Sequence, residues 1–391
     1  MNICVISPYY PTKEGRGGYF FVQQLVLATA ALGHHLYVIA PVNLASKLFI
    51  HKPYGCYYEH HQTENGGLVE VFRPRFYGRN VTIRGVNMSE YCRQKAVERI
   101  ITKYRIKIEA FYGHFFRSAV LAWRYASNHN IPLFVASGES TIPSLLKPCR
   151  SFSLEAFKNT LSGVVCVSTK NKDEAIALGY ASPKQCVVFP NGVDLSLFRP
   201  QNRNECRQRL GLPLDKFIVV CAGNFTERKG QTRVVAAIEK LNNPSIGVVL
   251  AGRGNEVLNS AFILYKGFVN HDNIPYYLCA ADAFVIPTRW EGCCNSIIEA
   301  MACKLPIVSS NRSFNWDVLN KKNAILIDPD NIDEIADAVD LLFKDSALRE
   351  RLGQNSLLVS KELSIKERAN KIIQFIYEKN SSSQGTIHDE L

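Results

Sequence analysis

No apolar run in this 391-residue sequence reaches the roughly 18–20 residues that a membrane-spanning helix needs. A basic leader and a small-residue cleavage site are also missing. The first residues, Ile3-Cys4-Val5-Ile6-Ser7, read as an opening β-strand and not as a signal peptide. These absences point to the cytoplasm. The twelve cysteines include no C-x-x-C pair, and Cys4, Cys166, Cys221 and Cys279 sit inside apolar segments. Cysteine used this way is a small buried hydrophobe, which argues against a disulfide framework or a metal centre. No internal repeat stands out, and no nucleic-acid-binding motif accompanies the basic residues.

Acid is scarce in the first half. Residues 1–190 hold 22 Lys and Arg against 11 Asp and Glu, while residues 191–391 hold 24 of each. The whole net charge of +11 therefore falls on the first half. Much of it lies in Arg73, Arg75, Arg79, Arg84, Arg93, Lys95, Arg99, Lys103, Arg105 and Lys107, against Glu90 and Glu98. Such a face suits anionic lipid headgroups or a phosphorylated acceptor, and it also suits a plainly solvated surface. The length allows two domains, and a composition of 47% hydrophobic and 21% charged residues is ordinary for a globular protein.

Short apolar runs alternate with amphipathic segments along the chain. Strands are expected at Ile3–Ser7, Leu36–Ala40, Val69–Phe72, Ile108–Tyr112, Leu133–Ser137, Gly163–Ser168 and Cys186–Phe189, with helices between them. The pattern starts afresh after Asn191-Gly192 and Pro200, with strands at Phe217–Gly223, Ile246–Ala251, Leu264–Phe268, Ala283–Pro287, Pro306–Ser309 and Ala324–Ile327. This alternation builds parallel sheets covered by helices. The fold class is α/β, with domains over 1–190 and 191–364, a last helix over 365–379 and a disordered tail over 380–391.

The most informative stretch is Glu291-Gly292-Cys293-Cys294-Asn295-Ser296-Ile297-Ile298-Glu299. It lies between two apolar runs and so opens a βα loop at the carboxyl end of a parallel strand, where open α/β sheets bind ligands. Asn295 or Ser296 is a good N-cap, and Glu299 follows within one turn. Backbone N–H groups at that helix start suit a phosphate. Gly292 lets the loop backbone approach a ligand. One phosphate site flanked by two carboxylates fits a nucleotide diphosphate-sugar. The same spacing also fits a capping box with one surface glutamate. Cys293 and Cys294 read as packing residues of the loop.

Glu291 to Glu299 resembles the E-x7-E motif of retaining GT-B glycosyltransferases of glycosyltransferase family 4, the glycosyl transferases group 1. So do Glu299-Ala300-Met301-Ala302-Cys303 with Leu305-Pro306-Ile307-Val308-Ser309, and Pro190-Asn191-Gly192-Val193-Asp194 with Phe198-Arg199-Pro200. The resemblance runs from about residue 1 to about residue 375 and is stronger over the second half. It implies two Rossmann-like domains facing each other across a cleft, with the last helix crossing back to the first. It implies that Glu291 contacts the donor sugar and Glu299 the ribose, and that Gly292, Cys293, Cys294, Asn295 and Ser296 line the donor. In Gly223-Asn224-Phe225-Thr226-Glu227-Arg228-Lys229, Lys229 matches a lysine on the donor diphosphate. Asn224 stands where the family has arginine, and Arg228 is a substitute for it or a surface residue. Gly252 belongs to a glycine turn beneath the nucleotide, and Phe268 to the segment holding the base. Gly17 and Gly18, in Gly15-Arg16-Gly17-Gly18, match a flexible loop near donor phosphate and acceptor. His114 matches an interdomain histidine near the reacting sugar, a position equally open to a structural histidine. Glu139 stands where the family often has a histidine and is assigned loosely to the acceptor.

These residues imply transfer of a sugar, with retention, from a nucleotide diphosphate-sugar (a UDP-sugar) to a hydroxyl of a saccharide or lipid-linked acceptor, in polysaccharide or glycolipid biosynthesis. Glu291, His114 and Lys229 are the catalytic set. No cofactor or metal is expected, because Lys229 and a helix N-terminus meet the leaving diphosphate. Asp328-Pro329-Asp330 has the spelling of a metal motif, but its place before an amphipathic helix gives it turn and capping roles. Nucleic acid is not an expected partner. The protein is expected in the cytoplasm, with peripheral contact at the inner membrane face through the first domain. A nucleotide-sugar epimerase and a non-catalytic sugar-nucleotide-binding subunit are the alternatives.

Overall fold

A computed structural model describes residues 1–12, 19–45, 55–63, 65–254 and 256–385. The chain forms two compact units, one of Met1–Phe189 with Arg368–Leu391 and one of Pro190–Glu367. Among the described residues, no helix is long and apolar enough to cross a membrane.

The main elements of unit 1 are β1 (Asn2–Ile6), α1 (Phe20–Ala30), β2 (His35–Ile39), β3 (Tyr58–Gln62), β4 (Leu68–Phe72), α2 (Met88–Lys103), β5 (Ala110–His114), α3 (Phe116–His129), β6 (Leu133–Ser137), α4 (Leu154–Thr160), β7 (Leu161–Cys166), α5 (Thr169–Ala177) and β8 (Cys186–Val188). Their sheet runs β8-β7-β6-β5-β1-β2-β4-β3, all parallel except the edge strand β3. Central strands β5 and β6 are buried at every residue, as expected where helices cover both faces. β3 went unforeseen because its sequence, YEHHQ, has no apolar run; its exposed positions alternate along a sheet edge.

Unit 2 contains α6 (Arg203–Leu210), β9 (Phe217–Ala222), α7 (Gln231–Leu241), β10 (Ile246–Ala251), β11 (Ile263–Gly267), α8 (Ile274–Cys279), β12 (Ala283–Ile286), α9 (Asn295–Ala302), β13 (Ile307–Ser310), β14 (Ala324–Ile327), α10 (Ile332–Lys344) and α11 (Ser346–Glu362). Its parallel sheet runs β11-β10-β9-β12-β13-β14. In units 1 and 2 alike the chain winds outward from a central strand, returns, and winds the other way, which is the Rossmann-like order.

The last helix, α12 (Ile365–Gly385), continues through residues 380–385, which sequence reasoning gave to a disordered tail. From Arg368 onward it is part of unit 1. Ile372, Ile373 and Ile376 join Ile3, Val5 and Leu36 around an apolar cavity. Phe375 meets Phe134 edge-on at 5.9 Å and lies against Gly163, where an added Cβ would stand 2.5 Å from the ring. Glycine at 163 is therefore what lets the helix seat on the sheet.

Arg73 departs from the expected basic face. It is buried, with Nη2 paired to Glu59 Oε1 at 2.6 Å and donating to the Pro11 carbonyl at 2.7 Å. Its charge is spent inside the unit.

Gly163→Ala should force Phe375 off its seat and cost about 1–3 kcal/mol, the usual range for overpacking a filled site. Scanning calorimetry should show a lowered Tm for the transition of unit 1, with that of unit 2 unmoved.

Candidate functional site

Strands β9 and β12 are neighbours in the sheet, with Val219 opposite Ala283 and Val220 opposite Phe284. The chain winds one way from β9 through β10 and β11, then returns to the other side of β9 to make β12. Loops leaving the carboxyl ends of two such strands diverge and leave a crevice between them. The first loop carries Asn224, Arg228 and Lys229; the second carries Trp290, Glu291 and Gly292.

The two loops are joined by charge. Lys229 Nζ lies 2.5 Å from Glu291 Oε1, and Arg228 forms a second ion pair with the same oxygen. Arg228 also donates to the Trp290 carbonyl at 2.7 Å, and the Arg289 N–H donates to the Arg228 carbonyl at 2.9 Å. Arg228 is thus part of the site and not a plain surface residue. Burial of Glu291 opposes its ionisation, but the Lys229 and Arg228 charges outweigh that effect and hold its carboxyl below the ordinary value. Burial likewise disfavours the Lys229 ammonium; the Cys294 sulfur, 3.5 Å away, and the Glu291 carboxylate reverse this and raise it. Both groups are charged at neutral pH.

Helix α9 begins at Asn295, so its N-cap is Cys294, whose side chain makes no capping hydrogen bond. This corrects the expectation that Asn295 or Ser296 caps the helix. The Asn295 side chain accepts instead from Asn191 Nδ2 at 2.6 Å, and the same amide donates to the Cys293 carbonyl at 3.2 Å. Ser296 Oγ lies 3.3 Å from Cys294 Sγ. Cys293 and Cys294 are buried. Glu299, one turn into the helix, pairs through Oε1 with His271 Nε2 at 3.1 Å. Burial alone would lower the His271 pKa; Glu299 more than offsets it, and the net shift is upward. The sequence reading missed His271 and the bracing role of Asn191. The available signal for His271 was its place four residues after β11, in another strand-end loop.

Asn224 is exposed, and its carbonyl accepts from Gln231 Nε2 at 3.0 Å. Gly252 lies so close to the first loop that a Cβ would stand 1.9 Å from the Gly223 carbonyl oxygen. Only glycine lets the ends of β9 and β10 approach this far. Phe268 is 54% exposed, with the Arg253 guanidinium 5.0 Å from its ring centroid. Asp328 and Asp330 are engaged by Arg312 at 3.2 Å and Arg289 at 2.6 Å. They form the expected turn, with the Asp330 N–H donating to Asp328, but the cap of α10 is Asn331.

In unit 1, His114 is the last residue of β5 and not part of the loop after it. It is 3% exposed, and its Nε2 has no hydrogen-bond partner. Burial, helped by the Arg368 charge, pushes its pKa down to about 3, so the imidazole is neutral. Glu139 is committed to the backbone. It accepts from the N–H of Phe116 at 3.1 Å and of Gly138 at 3.0 Å, and from Ser137 Oγ at 3.3 Å. The first of these caps α3, whose N-cap residue, Phe115, offers no capping side chain. These bonds give Glu139 a bracing role at the entry to α3. Gly17 and Gly18 lie outside the described residues.

Two Rossmann-like units, the second carrying an ion-pair cluster at its strand-order switch, make the α/β architecture termed GT-B. Residues 202–358, within the second unit, match the family model described as "Glycosyl transferases group 1". Over 194 residues the chain is 32% identical to a Bacillus subtilis glycosyltransferase named for teichuronic acid biosynthesis, covering 48% of this chain and 49% of that one. Over 202 residues it is 30% identical to the UDP-Gal:alpha-D-GlcNAc-diphosphoundecaprenol alpha-1,3-galactosyltransferase of Escherichia coli, covering 47% and 52%. The chain spans about half the length of these curated relatives. The sucrose-phosphate synthase of Thermosynechococcus elongatus shares the fold, with a TM-score of 0.75 over 97% of this chain and 99% of that one at 19% identity.

Glu139 gives a pH test of unit 1. Burial pushes its carboxyl up to about 7, against the hydrogen bonds that favour the carboxylate. A raised acid favours folding in its protonated form, so its contribution is full below about 4.5, the ordinary value, and is lost as pH rises through 7. Glu139→Gln should flatten the fall in Tm across that window, measured by thermal melts at successive pH values.

Proposed function

We propose that this protein is a retaining glycosyltransferase that moves a sugar from a UDP-sugar to a hydroxyl of a saccharide or lipid-linked acceptor, in the biosynthesis of a cell-surface polysaccharide or glycolipid. One observation carries the reading: Lys229, Arg228 and Glu291 meet in the crevice between β9 and β12, beside the uncapped start of α9. A diphosphate in that crevice would draw on Lys229, Arg228 and the α9 amides. It would compete with Glu291 for both cations and free the carboxylate to take hydroxyls of the donor sugar. Glu299, held by His271, is placed one turn further along for the ribose. Phe268 offers an exposed ring to the base.

Departure of the nucleoside diphosphate builds negative charge on its terminal phosphate. Lys229, Arg228 and the helix start are fixed positive groups aimed at that charge, which is where electrostatic stabilisation is worth most. In this reading they do the work of a metal, and no cofactor is required beside the nucleotide-sugar co-substrate and its acceptor. The UDP donor and lipid-linked acceptor follow the name of the Escherichia coli relative. The basic first unit suits a protein held peripherally at an anionic membrane from the cytoplasmic side.

Lys229→Ala and Glu291→Ala should each lower kcat by about 10²–10³, the usual loss for one preorganised charge-stabilising group. A released-nucleotide assay over a donor screen reads this directly. Full turnover in both variants would sink the assignment. A product formed from donor alone, with no acceptor, would favour an epimerase.

A further inference from the structure

Between Glu70 and Glu90 the sequence contains no acidic residue but four arginines. One of them, Arg73, is buried. The other three, Arg75, Arg79 and Arg84, are exposed on unit 1. Thr82–Ile83 pairs antiparallel with Val86–Asn87, and the turn between them places Arg84 at φ 48° and Gly85 at φ 79°. Two consecutive positive φ values make the tight hairpin turn that matches strand twist. An arginine in the first of these positions is unusual, because glycine or asparagine takes it at less cost.

The hairpin carries apolar side chains into solvent. Tyr77 is 68% exposed, Ile83 55% and Val81 47%. Val81 and Ile83 are two residues apart and so share a face. The hairpin is tied to its surroundings by backbone. The Met88 N–H donates to the Val81 carbonyl and the Asn87 N–H to the Lys147 carbonyl, both at 2.9 Å. Helix α2 follows at once and presents Tyr91, Lys95, Arg99 and Lys103 as exposed residues at spacings of four. Arg99 also donates to the Arg75 carbonyl at 3.3 Å, which joins this helix face to the same surface. An apolar tip flanked by arginines, on a rigid base with a cationic helix face, matches a surface of opposite charge with an apolar interior.

We infer that the Thr82–Asn87 hairpin, with Tyr77 and Val81, inserts into the headgroup region of an anionic lipid bilayer, while Arg79, Arg84 and the exposed cations of α2 bind the headgroups. This rests on the peripheral-membrane part of the proposed function and assigns the contact to one element. Aromatic and aliphatic side chains settle at the acyl boundary while long basic side chains reach the headgroups.

Vesicles of phosphatidylcholine, with and without phosphatidylglycerol, test this by co-sedimentation of the full chain at low and high salt. The wild type should bind only the anionic vesicles, and less at high salt. Arg79→Ala with Arg84→Ala should weaken binding about fivefold per arginine removed. Val81→Ser with Ile83→Ser leaves the charge unchanged and should weaken it about tenfold. These side chains are exposed, so the melting temperature should hold and serves as the folding control. No binding of the wild type to anionic vesicles would overturn the membrane reading and the hairpin together. Binding that survives the serine pair unchanged would overturn insertion alone and leave an electrostatic contact. Capture by a single-stranded RNA in preference to anionic vesicles would assign the surface to nucleic acid instead.

Discussion

The site of unit 2 depends on one constraint, the reversal of strand order between β9 and β12. Side by side in a parallel sheet, their outgoing loops must turn to opposite sides. That geometry brings Lys229 and Glu291 together although they are far apart in the chain. Each would be costly to bury alone; as a pair they hold each other charged in a partly dry crevice. Arg228 shares the carboxylate and ties its own loop to the Trp290 carbonyl. The ion pairs and the close approach at Gly252 thus brace the same loops that open the crevice.

Most of the fold was legible because the strands are short apolar runs between helices of clear period. Leu133–Ser137, Ile246–Ala251 and Ala324–Ile327 were read residue for residue. What escaped was set by long-range contact. The edge strand Tyr58–Gln62 has no apolar signature and exists because β4 offers it backbone partners. The last helix extends beyond Lys379 through a serine-rich stretch that composition alone assigns to coil.

Within the site, the sequence named Lys229, Glu291 and Glu299 through strand-end loops and family spacing. It could not show that Arg228 shares the Glu291 carboxylate, since that needs the adjacency of β9 and β12. His271 carried only the weak signal of a strand-end loop, and its pairing with Glu299 became visible in the fold. Glu139 illustrates the same limit. Its position after a strand suggested a ligand, and the structure adds partners the sequence could not show: the Phe116 N–H at the α3 entry, the Gly138 N–H and the Ser137 hydroxyl. Capping of α9 misled for a related reason: the helix starts one residue earlier than its best capping residues suggest, and Asn191 claims the Asn295 side chain.

The seat of α12 on unit 1 bears on the order in which the protein matures. Unit 2 is complete once residue 367 has been made, whereas the first unit still lacks Ile372, Phe375 and Ile376. Until these arrive, Ile3, Val5, Leu36 and the groove at Gly163 remain uncovered. The half synthesised first is therefore the half finished last, and a chain cut short after residue 367 would carry a sound second unit beside an open, aggregation-prone first one.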